Sequence, residues 1–202
     1  MEPIRIYILY CVFPLWIACG FLDYLCHRKS KIERNSGLHE SIVHMIMFIE
    51  VGIPIFLGAL FEINTLIIWL MFFVFVIHEI TAVYDVWYAS PRRTVSAWEQ
   101  AIHNYLGLLP FMVGSVVVCL NVDQVFAGDF SLSFREVPIG WFSTLLAMSL
   151  ILLAFPYSEE LYRCYMYKGP KESKWMTMIE FRHPWDPNLT LNPYHEDKSD
   201  VD

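Results

Sequence analysis

Five long apolar runs constrain this chain more than any other feature of its sequence. Each run approaches the roughly 20 residues that an α-helix needs to cross a bilayer. The chain is also poor in charge, because 17% of its 202 residues are charged whereas soluble domains carry about a quarter. We therefore predict an all-α integral membrane protein with about five transmembrane helices. Their expected bounds are residues 4–27, 40–61, 64–88, 98–120 and 137–155.

Polarity divides the chain into two parts. Residues 1–160 contain the apolar runs and form the predicted transmembrane domain. Residues 161–202 are polar, rich in proline and acidic at the end, and we expect them to form a cytoplasmic tail. Pro156 directly follows the fifth run, and it is expected to mark the end of that helix.

Lysine and arginine are distributed unequally between the two predicted sides of the membrane. The loops after the first and third runs, together with the tail, contain twelve of them, whereas the other side contains only Arg5 and Arg135. The positive-inside rule then predicts an N-terminus outside and a C-terminus in the cytoplasm. The chain lacks the clustered basic surface of a nucleic-acid-binding domain, so we expect no nucleic-acid partner.

Acidic and histidine residues recur at the predicted cytoplasmic ends of four apolar runs. Such side chains are costly beside lipid and indicate a functional site by default. A carboxylate and a histidine stand four residues apart in three of the runs and seven apart in the fourth, so each pair shares a helix face. The predicted metal ligands are Asp23, His27, Glu40, His44, His78, Asp85, Glu99 and His103. His39 and Glu79 are possible additional ligands.

This ligand set predicts the kind of centre. Four carboxylates and four imidazoles exceed the requirement of one zinc ion. Helical bundles hold pairs of iron or manganese ions with such ligands from facing helices. We therefore expect four of the helices to form a bundle with two metal ions at its cytoplasmic end. Iron is the preferred metal, with zinc, manganese or copper as alternatives.

The expected activity is hydroxylation or desaturation of an apolar or lipid substrate, with an electron donor if the protein is an oxygenase. Glu50 is a catalytic candidate because it lies six residues beyond His44, about 9 Å deeper along the helix. It could relay protons, orient a ligand or contact the substrate, and a neutral, hydrogen-bonded structural acid is an equal alternative. Arg92 and Arg93 could bind an anionic headgroup of the substrate, although ordinary positive-inside charge explains both equally well.

In outline, the ligand pattern resembles that of membrane di-iron oxygenases and desaturases, and this resemblance implies a non-haem oxidoreductase. The chain departs from that family because it lacks HxxxH and HxxHH boxes. It also lacks the ExxH pairs of ferritin-like bundles, since its own spacing is one residue longer. Asp23-x3-His27 followed by His39 is similar to a copper motif of membrane monooxygenases, which keeps copper among the candidates.

Three other interpretations remain open. A zinc-dependent lipid hydrolase would use metal-bound water as its nucleophile. A metal or proton transporter would need a polar route across the membrane, for which the deep segments offer little beyond Glu50. A structural or assembly role is compatible as well, because Glu40 and Glu99 in the first turns of helices also suit the helix dipole without any metal.

Overall fold

The computed structural model describes residues 3–137 and 139–171 of this chain. The described part is all-helical and contains no β-strand. Five of its helices are long and apolar enough to cross a membrane, which confirms the predicted all-α class and the predicted number of such helices. We label them α1 (Ile8–Lys29), α2 (Leu38–Leu60), α3 (Thr65–Ala89), α4 (Ala97–Leu120) and α5 (Gly140–Met166). Most of the predicted tail, residues 172–202, lies outside the described part.

Two of the helices contain a π turn. A short helix, Pro3–Tyr7, precedes α1, which begins with the π turn Ile8–Val12. In α5 the π turn is Leu150–Ala154, and the α-helix Phe155–Met166 follows it directly. A π turn contains one residue more than an α turn, so it changes the direction in which every later side chain of the helix points.

The fifth helix differs from our expectation, because it continues eleven residues beyond Phe155 to Met166. Proline in a helix interior lacks an N–H donor and its ring clashes with the carbonyl four residues earlier. Here Pro156 follows the π turn and occupies the first turn of the α-helical segment after it. Proline is well tolerated at that position, so the helix does not end.

The helices pack as two tight pairs with α5 alongside. α2 packs most extensively on α3, and α1 packs most extensively on α4. The second half of α5 contacts both α1 and α2. Many side chains on the outer faces are apolar, such as Val83 and Trp87, each 70% exposed. Outward apolar side chains are the expected surface of helices that face lipid.

The connection between α1 and α2 is short and buried. It contains the 3-10 turn Ile32–Arg34, and Ile32 is completely buried. The Nδ2 atom of Asn35 donates to the carbonyl of Ser30 over 3.1 Å. Gly37 precedes α2 with a φ of 71°, a left-handed conformation that favours glycine. The end of α1 and the start of α2 are therefore held in a fixed relation.

Candidate metal centre

Acidic and histidine side chains from all five helices meet at one end of the bundle. The late turns of α1, α3 and α5 reach this end, and α2 and α4 begin here. We call the group the acid–histidine cluster, and its members are Asp23, His27, Glu40, His44, Asp85, Glu99, His103 and Glu160. All of them are buried except His103, whose side chain is 18% exposed.

Four cluster residues form a first group in which each offers a ligand atom within 4.8 Å of the others: Asp23, His27, Glu99 and His103. Oδ1 of Asp23 lies 2.8 Å from Nε2 of His103 and 3.5 Å from Nε2 of His27. Nε2 of His27 lies 3.4 Å from Oε1 of Glu99. Ligands about 2.1 Å from one ion are about 3.0 to 3.4 Å apart at octahedral or tetrahedral angles. The observed separations are close to that range.

A second group, with ligand atoms again within 4.8 Å of one another, contains His27, Glu40 and His44. Nε2 of His44 lies 3.9 Å from Oε1 of Glu40 and 3.3 Å from Oδ1 of Asp85. The imidazole rings of His27 and His44 are stacked 4.3 Å apart and are almost parallel. The two groups share His27, so a pair of ions held by them would be neighbours.

Glu160 on α5 contacts both central histidines. Its Oε2 lies 3.2 Å from Nδ1 of His27, and its Oε1 lies 3.0 Å from Nδ1 of His44. A carboxylate in this position accepts a hydrogen bond from a protonated Nδ1. It therefore fixes the orientation of the ring and leaves Nε2 as the ligand atom. Nε2 of each ring faces the cluster carboxylates, and neither has a hydrogen-bond partner among the described residues.

Arg93 connects two cluster carboxylates from the loop between α3 and α4. Its Nη2 lies 2.6 Å from Oε1 of Glu40 and 2.5 Å from Oε1 of Glu99. The guanidinium is completely buried, and burial alone would lower the pKa of Arg93. The two carboxylates outweigh that effect and raise the pKa above its usual value, so Arg93 stays charged. The guanidinium of Arg93 therefore binds the cluster carboxylates. A substrate could contact it only in addition to those carboxylates.

The start of α4 is defined by a helix cap. The Oγ of Ser96 accepts a hydrogen bond from the backbone N–H of Glu99 over 3.2 Å. Ser-x-x-Glu is the sequence of a capping box, but here the Glu99 carboxylate contacts Arg93. His103 follows one turn later on the same helix face. Local capping thus positions both α4 members of the cluster.

The cluster has a large negative formal charge. Its five carboxylates and the guanidinium of Arg93 give a formal charge of −4 when the three imidazoles are neutral. Uncompensated buried charge of this size is too costly to persist. Three protonated imidazoles would still leave a charge of −1, whereas two divalent cations would neutralise the cluster completely. The donor set and its charge therefore both fit two metal ions.

His78 and Glu50 lie together, apart from the cluster. Nδ1 of His78 is 3.4 Å from Oε2 of Glu50, and Thr81 donates to Oε1 of Glu50 over 2.9 Å. His78 precedes Asp85 by seven residues, so the two share a face of α3 but differ in depth by about 10.5 Å. The structure thus brings seven of the eight predicted ligands together and leaves His78 with Glu50.

The remaining predicted residues lie around the periphery. His39 is exposed, and its Nε2 forms a hydrogen bond with the hydroxyl of Tyr84 over 2.8 Å. Glu79 is half-buried on α3. Arg92 is exposed, with its guanidinium 3.7 Å above the ring of Tyr88. Within the described part of the chain, none of these three belongs to either group of ligand atoms.

Sequence reasoning missed Glu160 because Pro156 was expected to end the fifth helix. A signal was nevertheless present. Tyr157, Glu160 and Cys164 are spaced as one face of a helix, and all three are buried. A carboxylate on that face, three residues from a buried tyrosine, could have suggested a fifth contribution to the site.

Comparisons with protein-family models, curated proteins and solved structures found no match to this chain. Function must therefore be argued from the cluster itself.

Proposed function

We propose that the acid–histidine cluster holds two metal ions and that the protein is a membrane di-iron oxidoreductase. The observation that carries the proposal is the contact of Glu160 with Nδ1 of both His27 and His44. Nε2 of each histidine faces carboxylates but forms no hydrogen bond with them. A purely structural role for these histidines would not require this arrangement. Orientation by Glu160 is instead typical of histidines that bind metal.

The two groups of ligand atoms provide the two sites. Asp23, Glu99 and His103 would hold one ion, and Glu40, His44 and Asp85 would hold the other, with His27 available to either. Iron or manganese suits mixed oxygen and nitrogen ligands in a helical bundle, and the cluster contains no thiolate. This donor set favours iron over zinc or copper as the resident metal.

A bound iron pair would supply dioxygen activation for hydroxylation or desaturation, using electrons from a separate donor. The protein residues would have other tasks. Glu160 orients two ligands, and Arg93 holds the carboxylates of Glu40 and Glu99 in place. The apolar helices exclude water and would admit an apolar or lipid substrate directly from the bilayer. We place this chemistry at the cytoplasmic face, following the distribution of lysine and arginine.

Metal analysis of the protein purified in detergent tests the proposal. We expect about two iron ions per chain, an electronic spectrum of coupled iron, and oxygen consumption with a reductant. His44→Ala and His103→Ala should each lose metal. His39→Ala is the matched control, because that histidine is exposed and bonded to Tyr84 outside the cluster. Full metal content in both cluster variants would contradict the proposal.

The same preparation separates the alternative functions. Zinc alone, with turnover that does not depend on oxygen, would identify a lipid hydrolase. Vigorous metal uptake into proteoliposomes would identify a transporter. Protein that binds no metal under any loading condition would leave the cluster as a structural ion-pair network.

A further inference from the structure

Below the cluster, α2 and α3 carry a second polar group, which we call the deep pair: Glu50 and His78. Glu50 follows His44 by six residues, which places it about 9 Å deeper along α2. Glu50 and His78 are 9% and 8% exposed. Because they belong to helices that can span a membrane, bulk water is not available to solvate them.

The geometry of the deep pair leaves two polar atoms unsatisfied. The Oγ1 of Thr81 lies 2.9 Å from Oε1 of Glu50 and 3.0 Å from the carbonyl of Ile77, so its single proton can be donated to either acceptor. Oε2 of Glu50 and Nδ1 of His78 lie 3.4 Å apart, yet neither has a hydrogen-bond partner within the described residues. A buried polar group without a partner costs about 1 to 3 kcal/mol. Two such atoms side by side indicate a place for a polar group from outside the chain.

Hydrogen-bond chemistry defines which group fits. When one of these two atoms carries a proton, the deep pair offers one donor and one acceptor. This holds whether the proton is on the carboxyl group or on Nδ1. A hydroxyl group both donates and accepts, so a single hydroxyl satisfies both atoms. A carbonyl or an ether can only accept, and would leave one of them unpaired.

We propose that Glu50, His78 and Thr81 bind the hydroxyl group of an apolar alcohol. This inference deepens the proposed function, because it names the substrate class of the metal centre and rests on that centre for its chemistry. A hydroxyl bound here would present a carbon about 9 Å away to the cluster.

Photolabelling with a matched pair of probes tests the site. One probe is a long-chain alcohol with a diazirine on its chain, and the other is the same diazirine alkane without the hydroxyl. Two hydrogen bonds of about 1 kcal/mol each predict a preference for the alcohol of roughly tenfold or more. The label should map to α2 or α3. The preference should be lost in Glu50→Ala and in His78→Ala, and reduced in Thr81→Val, which also serves if the alanine variants do not fold.

His39→Ala is the control, because that histidine is exposed and bonded to Tyr84, away from Glu50 and His78. Equal labelling by the two probes in the unmodified protein would overturn the inference, as would a preference that survives in both Glu50→Ala and His78→Ala. Iron is quantified in every sample. A preparation that lacks metal but prefers the alcohol would refute the di-iron proposal and leave the hydroxyl site standing.

Discussion

At the scale of single residues, Glu160 would decide which nitrogen of each central imidazole acts as a ligand in the proposed metal centre. Its two oxygens contact Nδ1 of His27 and of His44, so one carboxylate fixes both rings at once. Without it, either ring could rotate and turn Nδ1 toward the cluster. In the proposed metal centre, the ligand set would therefore be oriented before an ion binds, which would lower the cost of ordering it on binding.

Glu160→Ala should weaken metal binding by about 10- to 100-fold, since an orienting carboxylate of this kind typically contributes that much. The measurement is metal retention during titration with a chelator of known affinity. Glu159→Gln is the control, because the neighbouring Glu159 contacts Tyr24 and Arg163 outside the cluster. Equal chelator midpoints for the Glu160 variant and the unmodified protein would contradict the assignment.

Arg93 forms a completely buried ion pair with two carboxylates of the cluster. Its guanidinium lies between Glu40 and Glu99 with no exposure to solvent, and removing one partner of a buried ion pair leaves an uncompensated charge. A lysine would restore the charge but not the forked contact that a guanidinium makes.

Arg93→Met should lower the free energy of unfolding by about 3 to 5 kcal/mol. Unfolding of the metal-free protein in mild detergent, followed by circular dichroism during denaturant titration, measures the change. Arg92→Met provides the comparison, because Arg92 is exposed above Tyr88 and its loss should cost about 1 kcal/mol or less. If the two variants are equally stable, Arg93 does not bridge the carboxylates.

At the scale of helices, spacing in sequence predicts which face a residue occupies but not the depth at which it meets its neighbours. Carboxylate and histidine four residues apart on α1, α2 and α4 could be assigned to one site from sequence, because both their face and their level agree. His78 shares the face of Asp85 but lies two turns deeper, level with Glu50. Arg93 could not be assigned in this way, since periodicity does not give the direction of a side chain in a loop.

The π turn Leu150–Ala154 sets the direction of Glu160. Deleting one residue, Leu152, would convert it to an α turn and rotate the rest of α5 by about 100° relative to the preceding segment. With Pro156→Ala added to avoid a ring clash, we expect the deletion to reduce metal retention at least as much as Glu160→Ala does. The control combines Pro156→Ala with deletion of Tyr165, which lies beyond Glu160. Unchanged metal retention in the Leu152 deletion would show that the turn does not position Glu160.

At the scale of the whole molecule, an odd number of helices long and apolar enough to cross a membrane predicts that the two ends of the helical region lie on opposite sides. Among the described residues, most lysines and arginines lie at the end of the bundle that carries the acid–histidine cluster, so this end should face the cytoplasm. Apolar composition and run length were sufficient to predict the number of helices. The extent of α5 was not predictable in this way, because it depends on how a π turn accommodates Pro156.

Reporter fusions test the orientation. A fluorescent protein fused after residue 202 should fold and fluoresce, and alkaline phosphatase fused there should be inactive. Phosphatase fused after Leu120, at the opposite end of α4, should be active. The reverse pattern would place the cluster outside the cell and exclude a cytoplasmic electron donor.

The position of Glu160 on the last helix also has a consequence for biogenesis. Ribosomes deliver α1 to α4 to the membrane before α5, so the first four helices can assemble with seven cluster residues while both central imidazoles still lack their common partner. In the proposed metal centre, ions would then bind at full affinity only after α5 has been inserted. The order of the chain would thus delay tight metal binding until the last helix is in place.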